Sequence, residues 1–139
     1  MARAGVDGER SGEVDRRKVM SGFRFGPYCL GPDQTLWCEG RLVPLAPMQR
    51  RLLACLCLHR GRVVSKQELI QQVWGHDHAS EISLARTVHG LRRKLGEKYL
   101  NRELIQTVYG HGYVFTQPVE TLPPDIDAMR LSQEAVLQA

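Results

Sequence analysis

The sequence predicts an α+β fold: a small amino-terminal antiparallel sheet, then three helices, then a carboxy-terminal β-hairpin. Three patterns carry this reading. Short aromatic and branched runs broken by turn residues extend from Phe23 to Leu45, helical periodicity takes over from Ala46 to Gly96, and two β-favouring runs flank the paired glycines near residue 110. A chain of 139 residues has room for one core. Residues 1–20 lack periodic apolar positions and are rich in Gly, Ser, Arg and Glu, so a disordered tail is expected there. The domain then occupies 21–119, and 120–139 forms a linker with a short amphipathic helix after Leu-Pro-Pro.

The sheet is read from "FRFGPYCL" and "TLWCEGRLVPL", whose Gly-Pro, Gly-Pro-Asp and Glu-Gly breaks mark turns between short strands. "APMQRRLLACLCLHRG" follows with Leu52, Leu53, Leu56 and Cys57 on one helical stripe, Pro47 in the first turn and Gly61 at the stop. Ala46 occupies the cap position without a side-chain acceptor, a small penalty. In "SKQELIQQVWG", Ser65 and Glu68 stand three apart as a capping box. Leu69, Ile70, Val73 and Trp74 form the buried stripe, and Gly75 ends the helix.

The third helix, "SEISLARTVHGLRRKLGEK", runs from an N-cap at Ser80 to a stop at Gly96. At 100° per residue, Leu84, Val88, Leu91 and Leu95 share an arc of about 60°, which must face the core. Opposite lie Arg86, His89 and Arg93 with Gly90 beside them, and Arg92 and Lys94 take the flanks. No acidic residue occurs between Ser83 and Gly96, so Arg86 and Arg92 lack the i,i+4 partners that usually lace a solvent-facing helix, and Arg93 has Glu97 alone at that spacing. The wider pattern agrees. Between Arg41 and Arg102 there are 12 Lys or Arg against 4 Asp or Glu, a net of +8, while the remainder holds 7 against 11, a net of −4. A basic block between acidic ends suits a polyanion-binding face. The hairpin follows directly, with His111 at its glycine-rich tip between Tyr109 and Tyr113. A cationic helix of this length fits the DNA major groove, and a hairpin beside it reaches backbone or minor groove.

Other classes find little support. No apolar run approaches the roughly 18 residues of a membrane span. The amino terminus has no apolar central segment for export, so a cytoplasmic protein is expected. Cys29, Cys38, Cys55 and Cys57 show no zinc spacing and read as reduced core residues; Cys29 and Cys38 could lie on neighbouring strands, but without an export signal a disulfide between them is the lesser reading. The five histidines are scattered and no serine or cysteine sits in a nucleophile motif, so no enzyme, metal or cofactor is expected. His76 and His78 read as part of a solvent loop rather than a metal site.

"LAPMQRRLLACLCLHRGRVVSKQELIQQVWG", "SLARTVHGLRRKLG" and "LIQTVYGHGYVF", in this order and spacing, resemble the OmpR/PhoB-type winged helix-turn-helix domain, the DNA-binding effector domain of many bacterial response regulators. The likeness spans about Phe23 to Val119. It implies a recognition helix over about 80–95 in the major groove of double-stranded DNA and a wing over about 104–116 at the minor groove. The connector Gly75, His76, Asp77, His78 and Ala79 would match a loop that contacts RNA polymerase, and homodimers on direct repeats are implied. By position, Trp74, Thr87, His89, Arg92, Thr107 and Tyr113 fall where relatives make phosphate or groove contacts. The helical face adds Arg86 and Arg93, with Arg86 and His89 read as base contacts and Arg92 and Arg93 as phosphate contacts. Trp74 is read as mainly a core residue with its indole N–H available. Gly90 and Tyr109 stand where relatives place arginines for base reading and minor-groove entry. Those two departures motivate an alternative, a winged-helix adaptor that binds a protein such as RNA polymerase. No receiver domain is recognised in the sequence, which predicts a stand-alone regulator or a piece of a longer protein.

Overall fold

The computed structural model describes residues 21–75, 79–99 and 104–138. The expected tail over 1–20 lies outside the described residues. Four strands open the fold: β1 (Gly22–Phe25), β2 (Tyr28–Leu30), β3 (Leu36–Cys38) and β4 (Arg41–Val43). Their turns follow the sequence signals. Gly26 at φ +57° leads the two-residue β1–β2 turn, and Glu39 and Gly40, at +54° and +81°, give the β3–β4 turn the paired positive φ of a type I′ hairpin. Register separates two faces. Phe23, Leu30 and Leu36 align across the sheet, as do Phe25, Tyr28 and Cys38, and both rows lie in the hydrophobic core. The alternate row, Arg24, Cys29, Trp37 and Leu42, faces the other way. Cys29 and Cys38 thus occupy neighbouring strands on opposite faces, and both are buried thiols rather than halves of a disulfide.

Three helices pack on one another and share a single core with the sheet's inner rows: α1 (Pro47–Leu58), α2 (Lys66–Trp74) and α3 (Glu81–Tyr99). The predicted stripes are the buried ones. Leu52, Leu53, Leu56 and Cys57 of α1, Leu69 and Val73 of α2, and Leu84, Val88, Leu91 and Leu95 of α3 are each at most 1% exposed. Ile70 and Trp74 are partly buried against them. Removing such side chains from water contributes roughly 1.5–3 kcal/mol each, enough to fix which face of α3 is left outside. Tyr28 adds a specific tie, its buried hydroxyl donating to Leu95 O at 2.7 Å.

The helix ends differ from expectation in three places. Ser65 caps α2, accepting from Glu68 N at 3.0 Å, but the Glu68 carboxylate goes to Arg62 (3.0 Å) and Gln72 (3.1 Å) instead of returning to the cap. The bond from Arg62 holds that carboxyl below the usual carboxylate range. At α1 the opposite half of a capping box is present: Ala46 offers no acceptor, yet Gln49 Oε1 accepts from Ala46 N at 2.9 Å. Gly96 does not stop α3, which continues to Tyr99. Ser80 does cap it, its hydroxyl accepting from Ser83 N at 3.1 Å.

The hairpin of β6 (Ile105–Val108) and β7 (Gly112–Phe115) gains a third strand that the sequence reading did not foresee. This strand, β5 (Val64–Ser65), is two residues long, too short to show a period, and pairs with Tyr113 and Gly112. The chain beyond Val119 forms β8 (Glu120–Leu122), which pairs antiparallel with β1, and α4 (Ala128–Gln138), which packs on β2 and β3. Ser132 is buried there, accepting from Gly40 N at 2.8 Å and donating to Met129 O at 2.7 Å. The amino-terminal sheet is therefore five-stranded, ordered β4-β3-β2-β1-β8, and β2 is buried along its whole length. Among the described residues no helix is long and apolar enough to cross a membrane.

Candidate nucleic-acid interface

With Leu84, Val88, Leu91 and Leu95 held in the core, Arg86, His89 and Arg93 project from the opposite side of α3 and are exposed. Among the described residues the ion pairs are Arg62–Glu68 and Lys66–Glu81, so no described carboxylate neutralises Arg86 or Arg93. The Lys66 pair, at 3.3 Å, joins the starts of α2 and α3. Two arginines two turns apart on a rigid helix, with His89 between them, set up a positive potential whose lowest-energy partner is a row of phosphates or acceptor base edges.

The wing stands beside this helix, and its tip is built from two glycines with different tasks. His111 N donates to Val108 O at 2.9 Å, and Gly110, at φ +78°, fills the third turn position, where type II geometry favours glycine. Gly112 is buried in β7, and a Cβ there would run into the backbone carbonyl of Val64. Tyr109, 89% exposed, and His111, also exposed, are left at the tip.

Between helix and wing lies Arg92. Its Nε and one terminal nitrogen donate to Ile105 O at 3.1 and 2.7 Å, the same nitrogen donates to Thr107 Oγ1 at 2.8 Å, and the guanidinium sits 5.9 Å from the centroid of the buried Tyr113 ring. The sequence reading placed Arg92, Thr107 and Tyr113 separately at the nucleic acid; the structure brings them together as a clamp joining α3 to β6 and β7. Removing the guanidinium by Arg92→Met keeps the aliphatic stem but leaves the Ile105 carbonyl short of its donor. A loss of about 1.5 kcal/mol is expected, read as a lower urea midpoint. Arg92→Lys should recover little, because a single ammonium cannot reproduce the planar fork.

Other predicted residues are placed as follows. Thr87 is half-buried and spends its hydroxyl on Ser83 O of its own helix at 2.9 Å. Trp74 is partly buried at the end of α2, next to Gly75 at φ +69°. Gly90 sits at the edge of the cationic face, where the space for a Cβ is taken by the Gln49 amide at 2.5 Å. The close approach that this glycine permits is made by α1, lining a groove with Leu42, Arg93 and Lys94. Of the connector, Gly75 and Ala79 border the stretch, while His76, Asp77 and His78 lie outside the described residues. One residue on the outer face of α3 escaped the sequence reading: Ile82, 65% exposed, in the first turn. Its signal was available, since it lies on the same side of the helical wheel as Arg86 and His89.

Comparison with known proteins agrees with this arrangement. The family described as "Transcriptional regulatory protein, C terminal" matches residues 40–115. The transcriptional regulator HilA of Salmonella typhi is 37% identical over 102 residues, covering 73% of this chain and 18% of HilA. The DNA-binding dual master transcriptional regulator RpaA of Synechocystis is 33% identical over 91 residues, 63% of this chain and 37% of RpaA. The chain therefore spans well under half the length of these relatives. Among solved structures, the DNA-binding domain of E. coli CadC superposes with a TM-score of 0.67 at 27% identity, covering 73% of this chain and 96% of that one. The DNA-binding domain of E. coli CpxR gives 0.61 at 27% identity, covering 68% and 95%. A cationic helix locked by a leucine stripe, a clamped wing beside it and a family match across both make the assignment: the chain belongs to the OmpR/PhoB-type winged helix-turn-helix family, the carboxy-terminal domains of transcriptional regulatory proteins.

Proposed function

We propose that this protein regulates transcription in the cytoplasm by reading a specific sequence in double-stranded DNA. In this reading α3 lies in the major groove, with Arg86 and His89 at base edges and Arg93 on phosphate, and the wing brings Tyr109 and His111 to the minor groove. Arg92, Thr107 and Tyr113 fix the angle between the two elements, Gly90 lets α1 support the helix, and Trp74 and Thr87 lie at the margin where phosphates pass. The observation that carries the reading is the exposed Arg86–His89–Arg93 face, free of described carboxylates and rigid because its reverse side is core. By likeness to its family, the protein binds direct repeats as a homodimer and touches RNA polymerase through Gly75–Ala79.

Selection of bound duplexes from a random pool at moderate salt tests this. An enriched motif is expected, with affinity falling steeply as salt rises. Arg86→Ala should weaken cognate binding by roughly 10-fold or more, the worth of one good base contact, and nonspecific binding much less. Equal loss on all sequences would move Arg86 to a phosphate. The exposed tyrosine at the wing tip, Tyr109, favours one second reading, an adaptor for a protein partner. The absence of any enriched motif would support it.

A further inference from the structure

We infer that Ile82 is a specificity-determining residue of the major-groove face, recognising the C5-methyl group of a thymine. The inference rests on the DNA-reading function proposed above. Ile82 lies in the first turn of α3 and is 65% exposed, on the side away from Leu84 and Leu91. On the helical wheel it falls at about 160° from Leu84, between His89 and Arg93 and next to Arg86. Its neighbours on that face, Ala85, Arg86 and His89, are all exposed, and among the described residues Ile82 is outside the hydrophobic core and the side chains packed on it.

A branched apolar side chain is a poor choice for a solvated helix surface. It loses rotamer freedom against the preceding turn and leaves its hydrocarbon in water. It is also a poor choice for a phosphate-binding row, where a lysine or arginine would add attraction. It gains only where the facing surface offers an apolar group. In the major groove the base pairs offer one such group, the thymine methyl. Residues in the first turns of a recognition helix are also those that meet base edges. Ile82 and Ala85 thus give the leading end of α3 a small apolar reader, ahead of the cations Arg86 and Arg93.

Deoxyuridine, which lacks only that methyl, provides the test. The full chain is first used to select its motif, and each thymine of the selected duplex is then replaced singly by deoxyuridine. At one position the unmodified protein should lose about fourfold in affinity, the worth of one buried methyl. Ile82→Ala should bind the thymine and uracil duplexes there equally, and Ile82→Val should fall between. Because Ile82 is exposed, both variants are expected to melt with the parent protein, which circular dichroism checks. The inference is overturned if no deoxyuridine effect disappears in Ile82→Ala, or if that variant loses affinity equally for motif and random DNA. Failure to select any motif removes the DNA-reading function itself, and the inference with it; a motif without Ile82-dependent methyl sensitivity removes the inference alone.

Discussion

Gly112→Ala is expected to destabilise the domain by about 3 kcal/mol, a large fraction of the roughly 5–15 kcal/mol that holds a domain of this size together. The reason is steric. The added Cβ would occupy the position of Val64 O and crowd Ser65 Cα, and these are backbone atoms that no rotamer change can move aside. Relief requires β5 to separate from β7, breaking the pairs of Val64 with Tyr113 and of Ser65 with Gly112. The nearby bond from Lys66 N to His111 O, which ties the start of α2 to the wing tip, would go with them. Gly110→Ala is the control from the same turn. Its φ of +78° costs an alanine about 1 kcal/mol, but nothing lies within 4 Å of the new methyl. Thermal unfolding should rank the two variants in that order by a wide margin. Equal, small shifts would mean that β5 does not hold the wing against the helices.

Both glycines are visible in "YGHGY", and the sequence identifies the turn, yet it cannot distinguish their tasks. A positive φ belongs to the local turn and can be read from neighbouring residues. The approach of Val64 is a contact across 48 positions of chain, between Val64 and Gly112, and leaves no local mark. The same distinction runs through the molecule. The leucine stripe of α3, the caps at Ser65 and Ser80 and the turn at Gly26 are short-range patterns, and the structure follows them. Arg92 lies about 80° from Leu84 on the wheel, a flank position where periodicity cannot say whether water or another element will cover it. Here β6 covers it, and a residue read as a phosphate contact is found in a clamp. Gly90 is the mirror case, with α1 on the opposite flank. Arg86, His89 and Arg93 were legible as an outward face because they sit far from both flanks. Ile82 is equally legible by angle, but an apolar residue carries no charge pattern that marks it among cations.

Ending the chain at Val119 is expected to cost about 3 kcal/mol and to expose a thiol that the full chain protects. The estimate combines the loss of buried Leu122 and Ala128 with that of the β8 ladder on β1 and the Ser132 bond to Gly40. Cys29 reports on it specifically. It lies on the outer row of the sheet with Arg24 and Trp37, is 1% exposed, and burial pushes its thiol up to about 11. A thiol both covered and protonated reacts slowly with a disulfide reagent at neutral pH, because the thiolate is the nucleophile. Without β8 and α4 that row faces water, so Cys29 should react rapidly at a temperature where the shortened chain is still folded. Cys57, buried in α1 on the other side of the sheet and also raised by burial, should remain protected and serve as the internal reference. If Cys29 stays as slow as Cys57 and the melting temperature does not move, β8 and α4 are not part of the folded unit. If Cys29 alone becomes reactive, the outer sheet face depends on the last twenty residues. The cationic face of α3 draws its rigidity from the inner core, so DNA affinity below the melting range should then change little.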